Sequence, residues 1–243
     1  MKKILSSLVI LSVLFLFTPF SANALGGIAY DSTATGTTTG TSLTFSHTTS
    51  GTNRILFVYV QLNSTTDALT GVTYAGSALT FINKNTDPTN GYWGYLYYMV
   101  APATGANNVV VSLSSSQLMW AYSASYTGAS QTGQPDANIT NTATTGTSIT
   151  TSLTTVANNS WIVTGARNYA ANVTSGTNFT VRSAAYPIAI GDTNAAITPA
   201  GATSVTANSG TSSDWQVLLA SFSPAVAVTS SSILASLLQV RWW

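Results

Sequence analysis

From Ile28 to Phe222, apolar and polar residues alternate in short runs separated by Gly, Asn, Ser and Thr. Successive side chains of a strand point to opposite faces, so this period of two predicts half-buried β-strands. The first set of runs is Ile28–Thr33, Ser42–Thr48, Arg54–Leu62, Gly71–Tyr74, Ala78–Asn83, Tyr92–Val100, Asn108–Leu113 and Leu118–Thr127. The second is Ala137–Asn141, Ser148–Leu153, Ser160–Ala166, Phe179–Ser183, Ala185–Ile190, Ser204–Ala207 and Asp214–Phe222. Turn residues punctuate both sets at the spacing of an all-β protein. A helical period appears only in the N-terminal segment and in Ser230 to Trp243.

The two sets are copies of one plan. Thr41-Ser-Leu-Thr-Phe-Ser-His-Thr-Thr leads into Ile55-Leu-Phe-Val-Tyr-Val. Thr147-Ser-Ile-Thr-Thr-Ser-Leu-Thr-Thr leads into Trp161-Ile-Val-Thr-Gly-Ala. Val72-Thr-Tyr-Ala-Gly answers to Val173-Thr-Ser-Gly, and Pro102-Ala-Thr-Gly-Ala to Pro199-Ala-Gly-Ala. Trp120 with Ala124-Ser-Tyr answers to Trp215 with Ala220-Ser-Phe. The halves span about 27–128 and 129–225, each the size of an immunoglobulin-like sandwich. Two arrangements fit: one antiparallel, jelly-roll-like β-sandwich with two pseudo-repeated halves, or two tandem immunoglobulin-like sandwiches. The join, Gly128–Asp136, reads as a turn rather than a flexible linker, which favours a single domain over residues 25–225.

Some of these phrases, with Leu43-Thr-Phe-Ser-His-Thr, Arg54-Ile-Leu-Phe-Val and Tyr126-Thr-Gly-Ala-Ser-Gln-Thr, resemble an uncharacterised family of secreted microbial β-sandwich modules. Such modules occur in large cell-surface and extracellular proteins. The resemblance covers Gly27 to Pro224 and rests on turns and strands. It implies an extracellular module and supplies no catalytic residue.

The two ends bear on location. Lys2 and Lys3, the apolar run Ile4 to Phe17 and the small-x-small site Ala22-Asn23-Ala24 read as a secretory signal peptide over residues 1–24. The apolar run is shorter than a spanning helix needs, so no membrane span is expected after cleavage. In the tail, residues 226–243, Ile233, Leu234, Leu237 and Leu238 precede Arg241-Trp242-Trp243. That pattern suits an interfacial anchor, but it reads better as an ordinary tail or the stub of a longer protein.

Composition narrows the function. From Leu25 on there is no cysteine and no glutamate, one histidine (His47) and one lysine (Lys84). Five basic residues stand against six aspartates, so no basic patch exists to meet phosphates and nucleic acid is excluded as a partner. Charged residues make up 5% of the chain, against about 25% in ordinary globular proteins. Thr, Ser, Asn and Gly take their place. An apolar fraction of 45% still suffices for a core, without disulfides. Export without cysteine points to a prokaryotic or phage-related source. The Asn-x-Ser/Thr matches at Asn63, Asn138, Asn158, Asn172 and Asn178 are those expected by chance in a chain this rich in Asn and Thr.

Few groups offer acid–base chemistry. A triad or zinc site would have to be built on His47, with no Cys or Glu to join it, so an exposed or hydrogen-bonded loop histidine is expected. A glycosidase needs two carboxylates flanking the bond, and no local signature pairs any two of Asp31, Asp67, Asp87, Asp136, Asp192 and Asp214. Asp87–Asn90 and Asp192–Asn194 offer oxygens to Ca²⁺, but neither is an EF-hand loop, and Asx turns explain both. No cofactor is therefore expected. Alternation puts Trp93, Tyr95 and Tyr97 on one strand face, with Tyr92, Leu96 and Tyr98 on the other. Trp120, Tyr122 and Tyr126 share a face of a second strand. Such rings normally fill a core. The exception is the loop Lys84–Gly91, where Asp87 and Asn90 lead into Tyr92 and Trp93; these four are the candidate ligand-binding residues.

The expected function is a secreted, non-enzymatic structural or adhesive module of the cell surface or extracellular matrix, with glycans or other surface proteins as partners. One alternative is a carbohydrate-binding module using exposed aromatics. Another is a filament subunit that donates Gly26–Thr39 to a neighbour's sheet.

Overall fold

The computed structural model describes Gly27–Val226. The segment read as a signal peptide and the tail from Ala227 lie outside the described residues. The first half holds β1 (Ala29–Thr49), β2 (Ile55–Leu62), β3 (Leu69–Tyr74), β4 (Ser77–Ala78), β5 (Thr80–Thr86), β6 (Trp93–Val100) and β7 (Gly105–Thr127). The second holds β8 (Ala137–Ala143), β9 (Ser148–Thr154), β10 (Trp161–Asn168), β11 (Val173–Thr174), β12 (Thr180–Ala185), β13 (Ile188–Asp192), β14 (Ala202–Ser209) and β15 (Trp215–Phe222). All strand pairings are antiparallel. No helix occurs among the described residues, so the all-β, antiparallel, sandwich-like reading holds, and each of the two repeated halves forms layers of its own.

Four expected strands merge into two. The runs from Ile28 and Ser42 are the single strand β1, and those from Asn108 and Leu118 are β7. The two pair along their whole length, from Ala29 with Thr127 to Thr49 with Gly105. The register shifts between Gly40 and Ser42, where the pair passes from one layer into the other. The Ala29–Gly40 part of β1 joins the order β5-β6-β2-β7-β1, and the Ser42–Thr49 part joins β4-β3-β7-β1. The second half repeats this with separate strands: β12-β13-β10-β15-β8 in one layer and β11-β14-β9 in the other. Sequence and topology therefore duplicate together.

Each half encloses a core between its own layers. In the first, Leu56, Val58 and Val60 meet Val72, Tyr74, Val109 and Val111. In the second, Ile162, Val217 and Leu219 meet Ile149, Val173, Val205 and Ala207. A third core lies between the halves. Ile55, Phe57, Tyr59, Tyr122 and Tyr126 pack against Trp161, Val163, Ile190, Leu218 and Phe222. The five-stranded sheets thus bury both faces, which is why β2 and β10 read as nearly continuous apolar runs. Ring centroids lie 5.2 Å apart for Phe57–Phe222, 4.9 Å for Tyr126–Phe222 and 6.1 Å for Tyr126–Trp161. Each such ring contributes about 1.5–3 kcal/mol on burial.

The sheets stack in reverse order, β5 against β8, β7 against β13 and β1 against β12. Equivalent strands β2 and β10 meet at the centre, as a pseudo-twofold requires. The connector Gly128–Asp136 is pinned to both halves, Ala129 N donating to Asn53 O and Ser130 N to Ser223 O.

The ladders correct one alignment. Trp120 pairs with Gln61, and Gln216 pairs with Arg167, so Gln216 rather than Trp215 is the counterpart of Trp120. One residue of slip reverses the face. Trp120 packs toward the seam between the halves, whereas Trp215 is fully buried inside the second sandwich.

Candidate functional site

The four residues proposed from the Lys84–Gly91 loop part company. Asp87 is buried, and its carboxylate accepts the backbone N–H groups of Thr89 (3.1 Å), Asn90 (2.5 Å) and Tyr92 (3.1 Å). It also holds Arg167 Nη1 at 2.7 Å, across the seam. Burial alone would raise its pKa. The Asn90 N–H, the Arg167 guanidinium and the Tyr92 N–H outweigh that and hold it below the usual carboxylate range. Arg167 also lies 3.8 Å from Asp214 and stacks against Tyr92 and Tyr169 at 5.3 and 4.9 Å. Burial and the neighbouring Asp87 raise the Asp214 carboxyl. Asn90 Nδ2 donates to Asp214 at 3.4 Å. Asp87, Asn90 and Tyr92 are thus parts of an inter-half ion-pair network around a guanidinium. The signal was a lone arginine closing the apolar run Trp161–Ala166.

Trp93 faces the first-half core. It stacks on Tyr95 (6.0 Å between centroids) and donates Nε1–H to Thr65 O. Lys84 lies 4.8 Å over its ring while paired with Asp67, whose other oxygen accepts the Tyr95 hydroxyl at 2.7 Å. Tyr95 and Trp161 are buried, and the alternation of faces along β6 is as expected.

His47 sits in a cluster the sequence did not show. It is neither exposed nor in a loop: β1 runs through it, pairing it with Asn107 of β7, and it is buried with Nδ1 2.8 Å from Ser123 Oγ and Nε2 3.0 Å from Ser125 Oγ. Ser125 in turn donates to Asp31 at 2.8 Å. Burial lowers the imidazole to a pKa of about 4, the nearby Asp31 opposing only in part. A catalytic triad places the carboxylate on the imidazole itself. Here the carboxylate reaches the serine, and both ring nitrogens go to serines. The second half repeats the pair without the histidine: Ser221 donates to Asp136, and Leu153 holds the place of His47. Asp31 also receives Ser50 N, and Asp136 receives Val156 N and Ala157 N. The Asp–Ser pair is therefore a clip that ties a strand start to the following turn in both halves.

The Asx pairs considered for Ca²⁺ are occupied by arginines or turns. Asp192 receives Arg182 through both oxygens (2.7 and 2.9 Å), the Tyr126 hydroxyl and Asn194 N. Among the described residues, no three His, Cys, Asp or Glu side chains gather as a metal site would require.

Two open grooves run along the seam, one on each side of the pseudo-twofold. One of about 410 Å³ is lined by Asn85, Thr86, Trp93 and Thr140–Thr142. The other, about 350 Å³, is lined by Thr35–Thr37, Trp120, Tyr122, Ala185 and Tyr186. No charged side chain lines either. Tyr186 was missed because Tyr186-Pro187 lies inside an expected strand; the chain turns there between β12 and β13. Comparison with protein-family models, curated proteins and solved structures finds no match.

Proposed function

We propose that the chain is a secreted, non-enzymatic structural or adhesive module of a microbial cell surface or extracellular matrix. The observation that carries this reading is the placement of charge. All six aspartates are engaged within the fold: Asp31 by Ser125, Asp67 by Lys84, Asp87 by Arg167, Asp136 by Ser221, Asp192 by Arg182 and Asp214 by Asn90. Arg54 is likewise held by the carbonyls of Gly51 and Pro102. Acid–base chemistry needs a group poised near its working pKa and reachable by substrate. These groups instead brace strands, turns and the seam. What faces outward is a coat of Thr, Ser, Asn and Gly, suited to contact without reaction. The signal-like N-terminus and the resemblance to surface modules support the location.

The test is expression of the full chain in a bacterial host, followed by fractionation and a hydrolase substrate panel. The reading expects a shortened product beginning at Leu25 outside the cytoplasm, with no turnover. Cytoplasmic retention, or turnover abolished by an aspartate-to-asparagine change, would overturn it.

A further inference from the structure

We infer that the groove floored by Trp120 and Tyr122 binds a neutral saccharide chain, an assignment that deepens the surface-module reading and rests on it. The two seam grooves occupy equivalent places. Thr35 pairs with Tyr122 as Thr140 pairs with Leu218, so Thr35-Gly36-Thr37 corresponds to Thr140-Asn141-Thr142. Ala185 pairs with Ile188 as Asn85 pairs with Gly94, so Ala185 corresponds to Asn85.

The halves diverge at these places. In the first groove amides close the floor. Asn85 Nδ2 reaches Asn141 O (3.3 Å) and Val217 O (3.5 Å), and Gln216 Nε2 donates to Asn85 O at 2.8 Å. In the second groove Ala185 has no amide to extend, and Trp120 stands where Gln216 stood. The floor becomes the half-buried indole of Trp120 beside Tyr122, whose hydroxyl donates to Ala185 O at 3.2 Å. The indole N–H groups of Trp93 and Trp215 donate to Thr65 O and Gly146 O, whereas that of Trp120 has no acceptor among the described residues. Thr35 and Thr37 are exposed along one wall. Tyr186 is 52% exposed on the other, its ring fixed by a 2.6 Å bond from its hydroxyl to Tyr169 O.

A flat ring presents an apolar face to the C–H face of a pyranose, while hydroxyls and a free N–H meet its hydroxyls. Rings with a few polar groups are the usual furniture of a ligand cleft, and about 350 Å³ lies at the small end of that class. The absence of charge selects a neutral polymer, since an anionic or cationic one would meet no countercharge.

The test is affinity electrophoresis of the secreted chain through gels containing dextran, galactomannan, xyloglucan or hydroxyethyl cellulose, with alginate as the anionic probe and a proline-rich peptide assayed alongside by titration. At least one neutral polymer should retard the parent. Ala185→Asn, which copies the amide-closed groove, and Tyr186→Ala, at the exposed rim, should each weaken that binding tenfold or more. Thr142→Ala, in the other groove, should leave it unchanged. Tyr186→Ala keeps the test decisive if Ala185→Asn does not fold. The assignment is overturned if no neutral polymer binds, if only alginate or the peptide binds, or if both variants bind as the parent does. A chain exported and inert toward substrates yet blind to these polymers overturns the groove alone and leaves the surface-module reading standing.

Discussion

The ring of Tyr59 occupies the space that a side chain on Gly165 would need. A Cβ at Gly165 would lie 2.5 Å from Tyr59 Cγ. The two residues hold equivalent positions in β2 and β10, since Tyr59 pairs with Tyr122 and Gly165 with Leu218. The pseudo-twofold would bring two like side chains together here. A tyrosine facing a glycine resolves the conflict.

Gly165→Ala should therefore destabilise the protein by about 1–3 kcal/mol, the usual cost of overpacking a filled core. Tyr59→Ala removes the Cγ and Cδ atoms that stand in the way, so Gly165→Ala should cost less in that background than it does alone. Urea unfolding of the two single variants and the double variant measures the coupling. Simple additivity would show that the two residues do not share the space.

The Arg167 network predicts opposite effects for its two carboxylates. Asp87 is held below its ordinary pKa, so it stabilises the fold above that value and the contribution is lost as pH falls. Asp214 is raised, so its ionised form costs stability at neutral pH. At pH 7, Asp87→Asn should lower the thermal midpoint and Asp214→Asn should hold or raise it. Equal losses would contradict the assignment. Arg167→Met should cost about 3–5 kcal/mol, since it strands two buried carboxylates.

His47 predicts a pH dependence of its own. Its pKa falls from 6.5 unfolded to about 4 folded, so the fold binds its proton less readily. Stability is full above pH 6.5 and declines as pH falls toward 4, by about 3 kcal/mol. Asp31, also lowered, adds to the loss only near and below the carboxylate range. His47→Leu imitates Leu153; Ser125 keeps Asp31 as its acceptor, and Ser123 has Ala34 O within reach in place of the ring. That variant should flatten the slope between pH 6.5 and 5 in chemical denaturation. An unchanged slope would place its origin elsewhere.

Much of the fold was legible because duplication and period-two alternation are local signals. The alternation assigned Trp93, Tyr95 and Tyr97 to one face and Leu96 and Tyr98 to the other, as observed. Where two strands joined or turned, local pattern failed. The Gly and Thr residues from Thr35 to Gly40 fell between two expected strands, yet they continue β1 because β7 pairs with every one of them. Matching Trp120 to Trp215 followed residue identity, whereas the ladder aligns Trp120 with Gln216. The chemistry of the seam was hidden for the same reason. Asp87 and Arg167 are 80 residues apart, and only stacked sheets bring them together.

Because the two sandwich-like halves share a third core, they should unfold as one. Hydrogen–deuterium exchange with mass spectrometry measures this, by comparing peptides from β2 and β10 under conditions where exchange reports the free energy of opening. The same limiting free energy is expected in both strands, and Gly165→Ala should lower it equally in each. One half exchanging through a separate opening of markedly lower free energy, with the other unaffected by Gly165→Ala, would mean that the halves unfold independently.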